Sequence, residues 1–213
     1  MSLLECLVGI ALCTALLSPL LKTSAELVTK QIQYEKTQAL ISEGDRALEL
    51  IGRAIRMAGY SNIKAQQVRS KKLNTQEFIQ IQKKSGYRSS DSLIIKHGLS
   101  DGIDFDCIGN VLTQDRTKNQ LAHQGFLVER QAGVPKGTQV NGGSLMCQSL
   151  DRQGRIQKTT LMNGIDLLTV EELHSPGGNR DSSQRLYRIQ LQMTDGNLLH
   201  VDMERSFATR NLL

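Results

Sequence analysis

The sequence predicts an α+β protein in which a long N-terminal α-helix packs on an antiparallel β-sheet. An apolar run from Leu3 to Leu21 continues directly into a helical pattern that ends near Tyr60. Close to the C-terminus, two alternating segments flank Asp195-Gly196, which is typical of an antiparallel hairpin. We therefore expect three parts, which are a membrane-spanning helix over residues 1–22, an amphipathic stalk helix over residues 23–60 and a β-rich head over residues 61–213.

The apolar N-terminal run is long enough to cross a lipid bilayer. From Leu3 to Leu21 it comes close to the roughly 20 residues that a spanning helix needs. It lacks the basic segment and the small-residue cleavage site of a secretory signal peptide, and a further helical pattern follows Lys22. We expect this run to anchor the protein in a membrane.

Glu5 is an acidic residue inside this apolar run. A carboxylate within a spanning segment costs on the order of a few kcal/mol. It therefore needs a cationic partner or a position at the depth of the lipid headgroups. The α-amine of Met1 lies about 6 Å away along a helix. If the amine comes from a neighbouring subunit instead, the pair fixes the axial register of two parallel helices. The residues alone leave these alternatives open.

The stalk helix is predicted by apolar residues that recur at spacings of three and four. Gly44 interrupts this pattern and costs about 1 kcal/mol relative to alanine. Gly59 is placed to end the helix as a C-cap. A helix of this length is unusual in a globular protein, so we expect its second half to pack on a sheet. The residues that form the pattern are Val28, Ile32, Leu40, Ala47, Leu48, Ile51, Ala54, Ile55 and Ala58.

The head is predicted to contain short strands separated by polar loops. The clearest pair alternates at Tyr187, Ile189, Leu191 and Met193, and again at Leu199, Val201 and Met203. Residues 175–183 are predicted to form the loop before this hairpin. The other predicted strands cover residues 78–81, 92–97, 125–130, 144–147 and 167–173.

The four cysteines fall into two pairs of different character. Cys107 and Cys147 lie in polar surroundings and are predicted to form a disulfide in an oxidising compartment, with two free thiols as the alternative. Such a bond closes a loop worth roughly 4 kcal/mol in the chain-entropy model. Cys6 and Cys13 lie about 10 Å apart along the apolar helix, so we expect small buried hydrophobic residues there and no bridge.

No motif in the sequence predicts an enzyme. There is no nucleophile elbow, no phosphate-binding loop and no dinucleotide-binding fingerprint. No cofactor or metal is expected, because the four histidines lack metal-ligand spacing. Asp101, Asp104 and Asp106 could together hold Ca²⁺, but they lack the order of an EF-hand, and a plain turn is the favoured interpretation. The net charge of +5 suits anionic partners without selecting one.

Several stretches resemble the type IV pilins and pseudopilins. The first is the start Met1-Ser-Leu-Leu-Glu5, which resembles their processed N-terminus. Met57-Ala-Gly-Tyr60 and Asp106-Cys-Ile-Gly-Asn110 are similar to minor pilins of the PilW family, and Asp91-Ser-Leu-Ile-Ile and Asn163-Gly-Ile-Asp-Leu-Leu168 occur in the order found in that family. The resemblance implies that a prepilin peptidase generates Met1, that Met1 is N-methylated and that Glu5 is the intersubunit register contact.

The resemblance also implies a function in assembly. A minor pilin of this kind joins other minor pilins in a complex that primes a type IV pilus in the bacterial inner membrane, with its head in the periplasm. It then stays at or near the pilus tip on the cell surface, where a tip adhesin is a further expected partner. One alternative is a GspJ-like minor pseudopilin of a type II secretion system. Another is a tip module that binds DNA for uptake, motivated by the lysine pairs 71–72 and 83–84 and by Arg205 and Arg210.

Overall fold

A computed structural model of the chain describes residues 3–61, 78–118, 120–135, 142–173, 185–196 and 199–210, without the side chain of Glu5. One helix, α1, covers Leu3–Met57. The strands described after it are β1 (Ile79–Gln82), β2 (Ser92–Gly98), β3 (Asp104–Phe105), β4 (Val111–Leu112), β5 (Leu121–Arg130), β6 (Gly143–Leu150), β7 (Ile156–Leu173), β8 (Leu186–Thr194) and β9 (His200–Ala208).

The strands form one large antiparallel sheet and one small hairpin. The large sheet has seven strands in the order β1-β2-β5-β6-β7-β8-β9, and β3 pairs only with β4 among the described strands. This arrangement confirms the predicted α+β class with a long N-terminal helix on an antiparallel sheet. It is compatible with a pilin-like fold. The chain divides into two compact units, Met1–Ala39 and Leu40–Leu213.

The first unit is helical wherever it is described, and its apolar side chains are exposed. Leu3 is 80% exposed and Leu16 is 68% exposed. The helix is long and apolar enough to cross a membrane, and none of its most apolar window is buried inside the chain. Leucines exposed at this density are unfavourable in water, because burying one such side chain contributes about 1.5–3 kcal/mol of stabilisation. The first unit therefore has the surface of a helix that suits an apolar environment.

The second unit has an aliphatic core between the helix and one face of the sheet. From Leu40 onward, the apolar residues that recur at spacings of three and four along α1 face the strands. Strand alternation places every second side chain of the sheet opposite them. In β8 the alternating residues Tyr187, Ile189, Leu191 and Met193 are all buried, as the sequence pattern predicts. The helix contributes the buried side chains of Ala47, Leu48, Ile51, Ala54 and Ile55, and Ala58 follows just after it.

The helix ends three residues before Tyr60. Its last residue is Met57, and Gly59 adopts a left-handed φ of 74°, which suits a glycine after a helix. The Gly59 N–H donates a 3.1 Å hydrogen bond to the carbonyl of Lys96 in β2. The left-handed turn thus directs the chain from the helix onto the sheet.

The interior strand β7 is much longer than predicted. It covers Ile156–Leu173, whereas the sequence pattern indicates only residues 167–173. Its first part pairs with β6 and its last part pairs with β8, with register shifts in both ladders. These bulges move side chains from one face to the other, so the polar first half shows no period of two.

Two helix glycines lie directly against the sheet. A Cβ on Gly52 would collide with the ring of Phe207, whereas a Cβ on Gly44 would meet the sulfur atoms of Met203 and Met193. Gly44 is therefore a point of close packing in the middle of the predicted pattern. A thioether can move aside, but an aromatic ring packed under a helix cannot do so cheaply.

We expect Gly52→Ala to lower the free energy of unfolding by about 1–3 kcal/mol, because the overpacking outweighs alanine's helix preference of about 1 kcal/mol. Gly44→Ala is the matched control, and we expect it to stay within about 1 kcal/mol of wild type. Urea unfolding of the full chain in detergent measures both. Equal stability of the two variants would contradict the close approach of the helix and β9.

Candidate assembly surfaces

Two threonine hydroxyls of the exposed N-terminal helix bond back to its own backbone. The Thr14 hydroxyl donates to the carbonyls of Ile10 and Ala11, both at 3.0 Å. The Thr23 hydroxyl donates to the carbonyl of Pro19 at 3.1 Å. In a lipid core no water is present to serve as partner, so hydroxyls that bond back to the helix are what an apolar environment requires.

The predicted register contact falls at the very start of this helix. The backbone of Glu5 lies within α1, but its side chain and the whole of Met1 lie outside the described residues. The pairing of Glu5 with an α-amine therefore stays a prediction. Cys6 and Cys13 are free and exposed, so they form no bridge within the chain. The sequence predicts that both cysteines are buried, but the described residues of the chain do not cover them.

A disulfide fixes the β3–β4 hairpin to the large sheet. Cys107 lies in the turn between β3 and β4, and it is bonded to Cys147 in β6, with 6.0 Å between the two Cα atoms. The neighbouring Asp106 carboxylate accepts hydrogen bonds from the N–H groups of Ile108 at 3.0 Å and Asn110 at 2.8 Å. Arg116 also approaches Asp106, at 3.7 Å. The acidic segment is thus built as a braced turn.

Asp91 is a buried anchor at the start of β2. Its carboxylate accepts hydrogen bonds from the Lys83 ammonium, the Lys84 N–H and the Val170 N–H, each at 2.9 Å. Burial by itself would raise the pKa of Asp91, but these donors outweigh it, and the net effect lowers the pKa. The residue therefore holds the ends of β1 and β2 against β7 as an anion.

His97 and His123 are held neutral by their surroundings. Burial lowers the pKa of His97, which outweighs the bond of its Nδ1 to the Gly98 carbonyl and the negative charge of Asp104. Burial also lowers the pKa of His123, against a hydrogen bond with Gln148. Among the described residues, no three histidine, cysteine or acidic side chains lie close enough to hold a metal ion.

The basic residues that motivate DNA binding are partly neutralised. Lys83 pairs with Asp91 at 2.9 Å, and Arg205 pairs with Asp45 at 2.8 Å. Lys71 and Lys72 lie outside the described residues. Within the described part, Lys83 and Arg205 therefore already have acidic partners in the chain.

The last strand forms an open edge of the sheet. In the described part of the chain β9 has β8 as its one neighbour, and nine consecutive residue pairs join them without a register shift. Glu204 on its outer face pairs with Arg188 at 3.2 Å. A long regular edge leaves backbone N–H and C=O groups available to another chain.

Comparison with known proteins gives no relative from which a function could be transferred. No protein-family model matches the chain. Neither the curated proteins nor the solved structures contain a significant match.

One surface feature escapes the sequence patterns. The β3–β4 hairpin is too short to produce a strand signal, and its apolar residues are separated by aspartates. The spacing of two between Ile103 and Phe105 is the only local indication of it.

Proposed function

We propose that this chain is an assembly subunit of the type IV pilin kind, a minor pilin similar to the PilW family. The observation that carries the proposal is the apolar helix that no described part of the chain covers, with Glu5 at its start. A helix of this kind needs a membrane or the helices of other subunits to bury it. The braced β-rich head with its disulfide supports the same conclusion, because such bonds persist in oxidising compartments outside the cytoplasm.

The proposed mechanism is transfer of the helix from membrane to filament. In the bacterial inner membrane, the apolar run anchors the subunit with its head in the periplasm. On assembly, the carboxylate of Glu5 pairs with the α-amine of an adjoining subunit, because either charge left alone in an apolar environment costs several kcal/mol. The proposal includes removal of a leader by a prepilin peptidase and N-methylation of Met1.

The proposed partners are other minor pilins, with which the subunit primes filament growth and stays at or near the tip. A tip adhesin is a further proposed partner. A GspJ-like pseudopilin uses the same helix and the same acid, and the Asp106-Cys-Ile-Gly-Asn110 stretch is the feature that favours the pilus. The proposed role is assembly without catalysis.

The test is Glu5→Ala in the native host, with Glu26→Ala as a matched control in the same helix but beyond the apolar run. We expect Glu5→Ala to insert normally and to reduce surface pili and co-purification of minor pilins about tenfold or more, since an unpaired buried charge costs roughly 3–5 kcal/mol. Glu26→Ala should leave both unchanged. Normal piliation and normal partner association in Glu5→Ala would overturn the register contact.

A further inference from the structure

The open edge of β9 presents the backbone groups of its even-numbered residues. Just after β9, the Thr209 N–H donates a 2.9 Å hydrogen bond to the Arg185 carbonyl. Every second residue of an antiparallel ladder bonds to the same neighbour, and the register is unbroken, so the odd-numbered residues of β9 bond to β8. The even-numbered residues direct their N–H and C=O groups away from β8. Within the strand these are His200, Asp202, Glu204, Ser206 and Ala208.

The outer face of this edge carries an excess of negative charge. Asp202 and Glu204 both lie on that face, because alternate residues of a strand point the same way. Glu204 bonds to Arg188 at 3.2 Å and accepts a 2.8 Å hydrogen bond from Gln190. Asp202 is exposed and has no partner in the described part of the chain. Arg188 is the one lysine or arginine on the outer face of β8 and β9, and it also approaches Glu171 at 3.9 Å. The edge therefore attracts a basic partner.

A shallow groove lies beside the two acids. It has a volume of about 280 Å³, and its charged lining residues are Asp202 and Glu204. The side chains of Thr169, Gln190 and Gln192 also line it. Their hydroxyl and amide oxygens can accept hydrogen bonds from an ammonium or guanidinium group. The groove thus suits a long basic side chain that reaches across the sheet from a neighbouring strand.

On the inner side of the edge, the charges are already paired. Arg205 bonds to Asp45 of α1 at 2.8 Å. Arg56, which lies over the ring of Phe207, bonds to Glu49 at 3.0 Å. Because each base has an acid beside it, this side favours neither sign of charge in a partner. Selection by charge therefore comes from the outer face.

A second copy of this chain is a poor match for the edge. If β9 pairs antiparallel with another β9 over its full length, Glu204 lies directly opposite Glu204. Like charges in that position destabilise a strand pair. Charged side chains on an edge strand also reject chance pairing with other strands. A strand with basic side chains at the facing positions replaces this repulsion with attraction.

We propose that β9 accepts an extended strand of another protein in which two basic residues flank one apolar residue. The added strand bonds to the outward N–H and C=O groups of β9. Its basic side chains lie opposite Asp202 and Glu204, and one of them enters the groove. The apolar residue between them points inward beside the partly exposed Met203. Main-chain bonds give such a contact its affinity, and the alternate side chains give its specificity. This surface belongs to the head and does not require Glu5.

The test is site-specific photocrosslinking of the full chain in native membranes. A benzophenone amino acid replaces Ala208, an exposed residue of the edge, in one variant. In the control variant it replaces Gln153, an exposed residue of the β6–β7 turn. We expect about tenfold more adduct at position 208, joined to a segment of a different protein that has lysine or arginine at alternate positions.

Two further changes, made in the position-208 variant, test the backbone ladder and the charge separately. Ser206→Pro removes one outward N–H that β8 does not use, so the head should stay folded while the adduct falls about tenfold. Asp202→Lys should also reduce the adduct about tenfold, because it places a base opposite a base. Asp101→Lys, the same change at an exposed aspartate in the β2–β3 loop, is the matched control and should leave the adduct unchanged. Urea unfolding in detergent checks that each variant is folded.

The proposal is overturned by equal or absent adducts at positions 208 and 153, or by adducts only with lipid or with this chain itself. An adduct that survives Asp202→Lys overturns the basic partner, and one that survives Ser206→Pro in a folded head overturns strand addition. If Ser206→Pro unfolds the head, Asp202→Lys decides alone.

The same crosslink in the Glu5→Ala background separates this proposal from the proposed assembly function. An adduct kept there together with unchanged piliation means that the register contact fails and the docking edge stands. Reduced piliation in Glu5→Ala, with no adduct at position 208 in the otherwise wild-type chain, means the opposite.

Discussion

Replacing Cys107 and Cys147 with serine is expected to lower the free energy of unfolding by about 4 kcal/mol. The bond joins residues separated by 40 positions, and in the chain-entropy model a loop of that size removes about this much freedom from the unfolded chain. Because a domain's whole stability is about 5–15 kcal/mol, the effect is a large fraction of it. Urea unfolding of the full chain in detergent, under oxidising conditions, measures the change.

The matched control for this variant is the double replacement of Cys6 and Cys13, which are free thiols. We expect it to unfold like wild type. A reducing agent should destabilise wild type by the same amount as the Cys107/Cys147 variant and should not affect that variant further. A loss below about 1 kcal/mol would show that the hairpin holds its place without the bond.

Asp91→Asn is expected to lower the free energy of unfolding by about 3 kcal/mol at neutral pH. The change removes a buried charge and leaves the N–H groups of Lys84 and Val170 facing an amide, part of which is itself a donor. The matched control is Asp45→Asn, which breaks the half-exposed pair with Arg205 and should cost below about 1 kcal/mol.

The effect of Asp91 also depends on pH in a defined direction. Its folded-state pKa is lowered from the usual 3.8, so the unfolded chain takes up the proton first as pH falls. The difference between wild type and Asp91→Asn should be constant above about pH 5 and should shrink below pH 3.8. Unfolding measured from pH 7 to pH 3 tests this, and a difference that grows on acidification would contradict the assigned donors.

The parts of the fold that sequence patterns predict are those with a clean period. The helix stripe through Leu48, Ile51 and Ile55 is buried as expected, and so is the alternating run of β8. The first half of β7 was missed because bulges disrupt its alternation. The hairpin β3–β4 was missed because two residues per strand are too few to show any period.

The candidate surfaces likewise include one feature that the sequence predicts and others that it does not. Glu5 stands out in the sequence because a carboxylate in an apolar run is costly, whatever its neighbours are. The cleft beside the β3–β4 hairpin could not be predicted, because it forms only where the hairpin meets helix residues such as Leu50 and Met57. Arg56 pairs with Glu49 at 3.0 Å, a contact that the sequence spacing alone does not predict.

The close packing of α1 against β9 has a consequence for the order in which the head folds. The ion pair between Asp45 and Arg205 joins residues 160 positions apart, and Phe207 covers Gly52 from the last described strand. Contacts of such long range form late and slow the folding of a chain. The part of the helix face around Gly52 therefore stays uncovered until β9, the last described strand, has joined the sheet. A chain stalled before β9 pairs would leave this part of the apolar stripe exposed to chaperones and proteases.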